Sequence, residues 1–108
     1  MAQLDETLLT DMTNRLVQTF KPEQIILFGS YAWGIPHNGS DIDLYVVVPE
    51  SSERPLQRAR KARVCVGDVR FALDIIVRTR AEADKYRDVY ASLECQIFEK
   101  GRLLYERN

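Results

Sequence analysis

The chain has 108 residues, of which 45% are hydrophobic and 29% are charged, with a formal net charge of −1. This length allows a single domain over residues 1–108, and the composition excludes intrinsic disorder. The apolar runs are too short to cross a bilayer and the acidic N-terminus does not match a secretion signal, so we expect no membrane attachment. A net charge near zero gives no general attraction to DNA, and we expect no direct DNA binding.

The first half of the chain predicts one helix and two strands. Apolar residues recur at helical spacing over residues 4–20, and Lys21-Pro22 ends this helix because proline lacks a backbone N–H. Residues 24–28 form a short apolar run that is typical of a buried strand. Residues 31–33 predict a brief helical patch, and residues 41–48, rich in β-branched and aromatic side chains, predict a second strand.

The second half predicts two helical regions separated by a strand. Residues 53–65 contain good helix formers, residues 69–77 predict a third strand, and residues 80–100 predict a helix in two pieces. Residues 103–105 are suited to a short edge strand. In the first of these helices, helical spacing places four residues near one face: Leu56, Ala59, Ala62 and Cys65. In the second helical region, the side chains expected to point toward the core are those of Ala83, Tyr86, Tyr90, Leu93 and Ile97.

These alternating elements predict one α/β (α+β) domain with a mixed β-sheet, one face of which is covered by helices. The two cysteines, Cys65 and Cys95, match no metal or redox spacing, so they are interpreted as small core residues of a cytoplasmic protein. A basic stretch is interpreted first as a solvated helix surface, with a docking or phosphate-contacting surface as the alternative. It consists of Arg54, Arg58, Arg60, Lys61 and Arg63.

Three acidic residues stand on predicted strands that are otherwise apolar. Asp41 and Asp43 are two residues apart, so their side chains point the same way, about 7 Å apart along a strand. Asp74 repeats this pattern on the next predicted strand. If the strands pair, three carboxylates gather and repel one another, and a divalent cation such as Mg²⁺ removes that repulsion.

A second candidate element is Gly29-Ser30, at the end of a predicted strand and just before a helical turn. Glycine lets the backbone approach a ligand closely, and the amides at the start of a helical turn favour a phosphate, with the Ser30 hydroxyl as a further donor. Together with the acids, this turn indicates metal-assisted phosphoryl or nucleotidyl transfer.

Each of these residues also has an interpretation without function. The Asp41–Asp43 pair could be an exposed edge, Gly29-Ser30 a tight turn, and Asp74 a buried acid paired with Arg70 or Arg78. His37 is expected to be an exposed loop residue, and Tyr31 and Trp33 to serve in packing rather than base stacking. Since the three interpretations of the acids and of the turn would have to coincide at fixed spacing, we favour the functional interpretation of Asp41, Asp43, Asp74 and Gly29-Ser30.

Gly29-Ser30, ten intervening residues, Asp41-Ile42-Asp43 and the later Asp74 resemble the signature of the DNA polymerase beta-like nucleotidyltransferase superfamily. Gly34 and Ser40-Asp41 also agree, and the order of elements covers nearly the whole chain. In length the chain is most similar to the minimal nucleotidyltransferase (MNT) group of that superfamily.

The resemblance implies catalytic and metal-binding roles for Asp41, Asp43 and Asp74. Asp41 and Asp43 would hold two Mg²⁺ ions with bound nucleotide, and Asp74 would bind the catalytic metal and help to activate the acceptor hydroxyl. Nucleotide binding would fall to Gly29, Ser30 and Ser40, with ATP as the substrate.

Proteins of the MNT group are commonly paired with a HEPN-domain toxin. The resemblance therefore implies an antitoxin that transfers AMP from ATP to a hydroxyl, in particular to a tyrosine of that toxin. Two alternatives stay open: a binding antitoxin or scaffold subunit without catalysis, and nucleotidylation of a small molecule such as an aminoglycoside. In each case the acceptor surface is expected from another molecule, with a homo-oligomer as one way to supply it.

Overall fold

The structure is a computed structural model that describes residues 5–35, 41–67, 69 and 71–107. No helix in these ranges is both long and apolar enough to span a membrane. In chain order the elements are α1 (Glu6–Phe20), β1 (Gln24–Phe28), a 3₁₀ turn (Gly29–Tyr31), β2 (Ile42–Val48), α2 (Pro55–Val66), β3 (Leu73–Thr79), α3 (Arg80–Arg87), α4 (Leu93–Lys100) and β4 (Arg102–Glu106).

The four strands form one mixed sheet in the order β3-β2-β1-β4. β1 runs antiparallel to both of its neighbours, whereas β2 and β3 run parallel and are joined by the α2 crossover. The C-terminal end of β1 and the N-terminal ends of β2 and β3 therefore lie at the same end of the sheet. The α+β class, the mixed sheet and the edge position of the last strand, each expected from the sequence, are confirmed.

Helices cover both faces of the sheet, so the prediction of helices on one face is wrong. α1 and α2 pack on one face, where Met12, Leu16, Leu44 and Val46 are fully buried. α3 and α4 pack on the other face, through a second apolar cluster built on β1 and β2. This second cluster consists of Ile26, Phe28, Tyr45, Val47, Ala83 and Ile97. Apolar side chains thus alternate between two cores along β1 and β2, which explains their continuous apolar runs.

Side-chain caps fix where three of the helices begin. The Asp5 carboxylate accepts hydrogen bonds from the first amides of α1, and Ser92 accepts one from Cys95 at the start of α4. Thr79 and Glu82 form a reciprocal capping box at the start of α3, which directly follows β3. Because α3 begins where β3 ends, its position over the sheet is tied to the register of β3.

The third strand begins four residues later and ends two residues later than predicted, at Leu73–Thr79 rather than residues 69–77. Val69 and Phe71 are partly buried against the first core without being part of the sheet. Their apolar character therefore reflects burial and not strand pairing. On β3, the carbonyls of Leu73 and Val77 accept hydrogen bonds from arginines of α2.

The basic stretch divides into one buried arginine and four exposed residues, namely Arg54, Arg60, Lys61 and Arg63. Arg58 is only 4% exposed, so its prediction as a solvated residue is wrong. Its guanidinium donates to the backbone carbonyls of Glu53 and Val77 and pairs with Glu82 at 2.7 Å. Arg58 thereby ties α2 to β3 and to the first turn of α3.

Four side chains predicted to point inward are exposed instead. Tyr86, Tyr90 and Leu93 are 46%, 92% and 42% exposed, and Leu56 on α2 is 62% exposed. For Tyr90 and Leu93 the helical spacing fails because α3 ends at Arg87 and the chain changes direction before α4, with Ala91 at a positive φ of 63°. Ala83 and Ile97, on either side of this break, are buried as predicted.

Candidate active site

Asp43 and Asp74 lie side by side on the parallel strands β2 and β3, directly opposite each other in the register. Residues opposite each other on adjacent strands are about 4.8 Å apart and project to the same face of the sheet. Asp43 is half-buried, and Asp74 is exposed near the start of the edge strand β3. The exposure of Asp74 excludes its interpretation as a buried acid.

Asp41 is exposed and comes directly before β2, which begins at Ile42. Ile42 and Leu44 are fully buried in the first core, as expected from the alternation of side chains. Their burial fixes Asp43 on the opposite face of the strand. β2 thus begins one residue later than predicted, and Asp41 lies directly before it. We call Asp41, Asp43 and Asp74 together the acidic edge.

Gly29 packs directly against Asp43. A Cβ placed on Gly29 would lie 3.1 Å from Cγ of Asp43 and closer still to one of its carboxylate oxygens. Gly29 also has a φ of +76°, a left-handed conformation that side chains disfavour. Only glycine satisfies both conditions, so the close approach of this turn to the acidic edge requires a glycine at position 29.

The turn after β1 is a single 3₁₀ turn at Gly29–Tyr31, which begins two residues before the predicted helical patch. The amides of Ala32 and Trp33 both donate to the Gly29 carbonyl at 3.0 Å and close the turn. The amides that precede them, those of Ser30 and Tyr31, open the turn, where helical N–H groups have no partner within the turn. Such amides, together with the Ser30 hydroxyl, are suited to phosphate oxygens.

The environment of Asp43 disfavours its ionised form. Burial first, and then the negative charges of Asp74 and Asp41, raise the pKa of Asp43 to about 6. A repulsion of this kind is relieved when a divalent cation lies between the carboxylates. The chemistry of the donor set therefore fits a hard cation that prefers oxygen ligands.

Within the described residues, no three His, Cys, Asp or Glu side chains converge tightly enough to form a ready metal cluster. The two paired acids, Asp43 and Asp74, are the residues that would hold a cation, with Asp41 beside them. A bound divalent cation would neutralise negative charge on phosphoryl oxygens and lower the pKa of an attacking hydroxyl.

Three residues named in the sequence analysis lie outside the described residues. They are Ser40, predicted to bind nucleotide, His37, predicted to be exposed, and Arg70, a considered partner of Asp74. The other predicted site residues, Gly29, Ser30, Asp41, Asp43 and Asp74, lie along one edge of the sheet in the order turn, β2, β3. Gly34 lies close to this turn, since a Cβ there would be 3.0 Å from the Ser30 Cα.

Aromatic side chains form the sheet surface next to the acids. Phe28 is directly opposite Asp43 in the register, and its ring lies 6.3 Å from that of Trp33 and 6.4 Å from that of Tyr45. The half-buried Tyr31 packs against the first core, as expected, whereas Trp33 is exposed and contacts only the ring of Phe28 among the described aromatic side chains. Sequence reasoning missed the buried hydrogen bond from the Tyr45 hydroxyl to Glu94, at 3.1 Å, since a pairing over 49 residues leaves no local pattern.

An acidic pair at the start of two parallel strands, with a glycine turn pressed against it, is compatible with metal-assisted phosphoryl or nucleotidyl transfer. The family model named Nucleotidyltransferase domain matches residues 9–105, and the chain belongs to this family. Its activity is nucleotidyl transfer, in the general sense of that family. No curated protein matches the chain.

A solved structure supports the same fold. The crystal structure of a proposed nucleotidyltransferase from Sulfolobus solfataricus superposes with a TM-score of 0.65 at 22% sequence identity. The superposition covers 94% of this chain and 79% of that one. At this identity the likeness concerns the fold, a small α+β nucleotidyltransferase fold that the two chains share.

Proposed function

We propose that the chain is an Mg²⁺-dependent adenylyltransferase that transfers AMP from ATP to the hydroxyl of a tyrosine on a HEPN-domain toxin. In this proposal it is the antitoxin of a HEPN/MNT pair. The observation that carries the catalytic part is the direct pairing of Asp43 with Asp74, with Gly29 packed against Asp43. The acceptor and the antitoxin role rest on the resemblance to the MNT group.

In the proposed reaction, the tyrosine oxygen attacks the α-phosphorus of ATP and forms a new P–O ester bond. The bond from that phosphorus to the bridging oxygen of pyrophosphate breaks, and pyrophosphate takes the electron pair. Asp74, exposed at the sheet edge, accepts the proton of the hydroxyl. The amides of the Gly29–Tyr31 turn and the Ser30 hydroxyl bind the departing pyrophosphate oxygens.

The proposal is tested with the protein that co-purifies with the native chain. This partner is incubated with the chain, Mg²⁺ and ATP labelled in the α-phosphate, and the label and the added mass of AMP are then mapped by mass spectrometry. We expect a labelled tyrosine with the wild type and a loss of at least a hundredfold with Asp43→Asn, which removes a ligand charge at almost constant volume. Asp11→Asn, on the exposed face of α1, is the matched control and should retain activity.

Absence of label with ATP and with every other nucleoside triphosphate would remove the catalytic part of the proposal. If toxin inhibition then persists with both Asp41→Asn and Asp43→Asn, the chain is a binding antitoxin. Label on a residue other than tyrosine would keep the transferase and change only the acceptor.

A further inference from the structure

The connection between α3 and α4 exposes a group of apolar and aromatic side chains next to the active-site face of the sheet. We call this group the α3–α4 surface, and its members are Tyr86, Val89, Tyr90 and Leu93. Their exposed fractions range from 42% to 92%. Exposed side chains of this size, with two tyrosines among them, are typical of a surface that binds another protein.

A cavity of about 490 Å³ adjoins this surface. It lies between the start of α2, the edge strand β3, α3 and the start of α4. Its lining combines charged side chains with Tyr86 of the α3–α4 surface, and consists of Pro55, Arg78, Glu82, Lys85, Tyr86 and Glu94. The apolar surface and the charged cavity are therefore continuous.

The two carboxylates of this cavity already have polar partners, whereas in the described part of the chain its two cations form no ion pair: Arg78 has only a long bond to the Val77 carbonyl, and Lys85 lies over the Tyr86 ring. Glu82 pairs with the buried Arg58, and Glu94 accepts the hydrogen bond of the Tyr45 hydroxyl. Among the ion pairs of the described residues, none includes Arg78 or Lys85. The lining itself holds two cations and two carboxylates, but the buried Arg58 behind it neutralises Glu82. Arg78 and Lys85 therefore face one uncompensated carboxylate, Glu94, and the cavity favours one more negative charge.

The cavity lies on the side from which an acceptor would approach. In phosphoryl transfer, the attacking and the leaving oxygens are roughly in line. The turn proposed to bind the leaving pyrophosphate follows β1, whereas Asp74 is on β3, two strands away in the sheet. Since the acceptor must lie opposite the leaving group, it approaches from the side of β3. Arg78 projects from the same face of β3 as Asp74, about 13 Å further along the strand.

We propose that the α3–α4 surface and this cavity dock the acceptor protein. Arg78 and Lys85 bind an acidic side chain on the segment that carries the acceptor hydroxyl, while the apolar side chains of the surface contact the protein around it. This inference rests on the proposed function. At about 3.3 Å per residue, the 13 Å span corresponds to an Asp or Glu about four residues from the acceptor tyrosine in an extended segment.

The surface fits an acidic protein segment better than a nucleic acid. Two cations flanked by two carboxylates can take one carboxylate, but they do not form the basic track that a phosphate backbone needs. The apolar rim likewise provides contacts for protein side chains. The chain as a whole carries a net charge of −1.

The test measures binding separately from transfer. Short fluorescent peptides carry one tyrosine and, four residues away, either glutamate or glutamine, and their binding to the full chain is measured by anisotropy. We expect the glutamate peptide to bind about five- to tenfold more tightly. Arg78→Glu/Lys85→Glu should abolish this preference, and Lys85→Glu alone, at an exposed position, should reduce it without risk to the fold.

Arg60→Glu/Lys100→Glu is the charge-matched control, since both residues are exposed and lie outside the cavity lining. It should leave the preference unchanged. Equal affinity for the two peptides, or tighter binding of a single-stranded RNA oligonucleotide than of the glutamate peptide, would overturn the docking proposal.

Failure of docking and failure of the proposed function give different results. If wild type labels its partner and Arg78→Glu/Lys85→Glu labels it equally well, the docking proposal is wrong and the transferase stands. If wild type prefers the glutamate peptide but labels no acceptor, the docking proposal stands and the transferase does not. Asp43→Asn should bind the glutamate peptide like the wild type, which separates the two in a single variant.

Discussion

Gly29 and Asp43 are in such close contact that a Cβ on Gly29 would lie 3.1 Å from the Asp43 carboxylate carbon and nearer still to one of its oxygens. Gly29→Ala therefore forces either the turn or the carboxylate to move. The positive φ of Gly29 adds a conformational cost of about 1–2 kcal/mol. We expect lower stability by that amount and a loss of nucleotidyl transfer, measured by denaturant unfolding and by labelling of the partner.

Gly67→Ala is the control for this substitution. Gly67 has nearly the same φ, +74°, but a Cβ there would meet only the end of the Arg15 side chain, at 3.3 Å. It should show a similar loss of stability with transfer retained. Equal activity of the two variants would contradict the role assigned to the contact between Gly29 and Asp43.

Asp43→Asn is expected to stabilise the metal-free chain at neutral and alkaline pH. Burial and the neighbouring acids raise the pKa of Asp43 to about 6, above its ordinary value, so its ionisation costs stability at higher pH and nothing in acid. The expected gain is about 1 kcal/mol above pH 6, after a discount for solvent screening, and it should vanish at about pH 4. Thermal unfolding at the two pH values, with Asp11→Asn as the control, measures it. A variant less stable than the wild type at alkaline pH would contradict the repulsion.

Mg²⁺ is expected to stabilise the wild type and to lower the pKa of Asp43, because a cation between the acids reverses their repulsion. At a concentration about tenfold above the dissociation constant, the gain in the free energy of unfolding is about 1.4 kcal/mol. Asp43→Asn should lose most of this gain and Asp11→Asn should keep it. A gain of equal size in both variants would place the cation elsewhere.

Arg58→Ala is expected to destabilise the fold by about 2–4 kcal/mol, since it removes a buried guanidinium that bonds two backbone carbonyls and Glu82. The same arginine bonds hold the pKa of Glu82 down at about 2. Arg60→Ala, two residues away and exposed, should change stability by less than about 0.5 kcal/mol. Chemical denaturation of the two variants would show whether the buried arginine is structural.

Tyr45→Phe is expected to lower the free energy of unfolding by about 1–2 kcal/mol. Glu94, which is only 9% exposed, then loses the hydroxyl that donates a hydrogen bond to it. Burial and the charge of Glu94 also raise the pKa of Tyr45 above its ordinary value, which keeps the hydroxyl protonated as the donor. Glu94→Gln retains an acceptor oxygen and should cost less. Additive losses in the double variant would show that the two residues do not interact.

The elements around the site could be predicted because their signals are local. The apolar run that ends at Gly29 defines β1, and the alternation of Asp43 with buried neighbours defines the face on which the acid projects. The spacing of Asp41, Asp43 and Asp74 was enough to propose an acidic edge. That Asp43 and Asp74 are directly opposite each other depends on the register between β2 and β3, which no local pattern in the sequence encodes.

Other features could not be predicted, because they depend on contacts between distant residues. Nothing in the neighbouring sequence distinguishes the buried Arg58 from the exposed Arg60. Arg58 is buried because its guanidinium bonds the Val77 carbonyl and the Glu82 carboxylate, both distant in sequence. Tyr86 and Leu93 follow a helical spacing that fails because the helix breaks between them. The second face of the sheet is likewise covered only because α3 and α4 pack against β1 and β2, which are distant in sequence.

The arginine bonds to β3 have a consequence for how another chain can approach. A strand at the edge of a sheet usually offers its carbonyls and amides to an incoming strand. On β3, the carbonyls of Leu73 and Val77 are already occupied by Arg63 and Arg58. An incoming strand would have to displace these two guanidinium bonds before it could pair with β3 at those carbonyls. A partner recognised through its side chains leaves both bonds intact, and it meets the exposed carboxylate of Asp74 on the same strand.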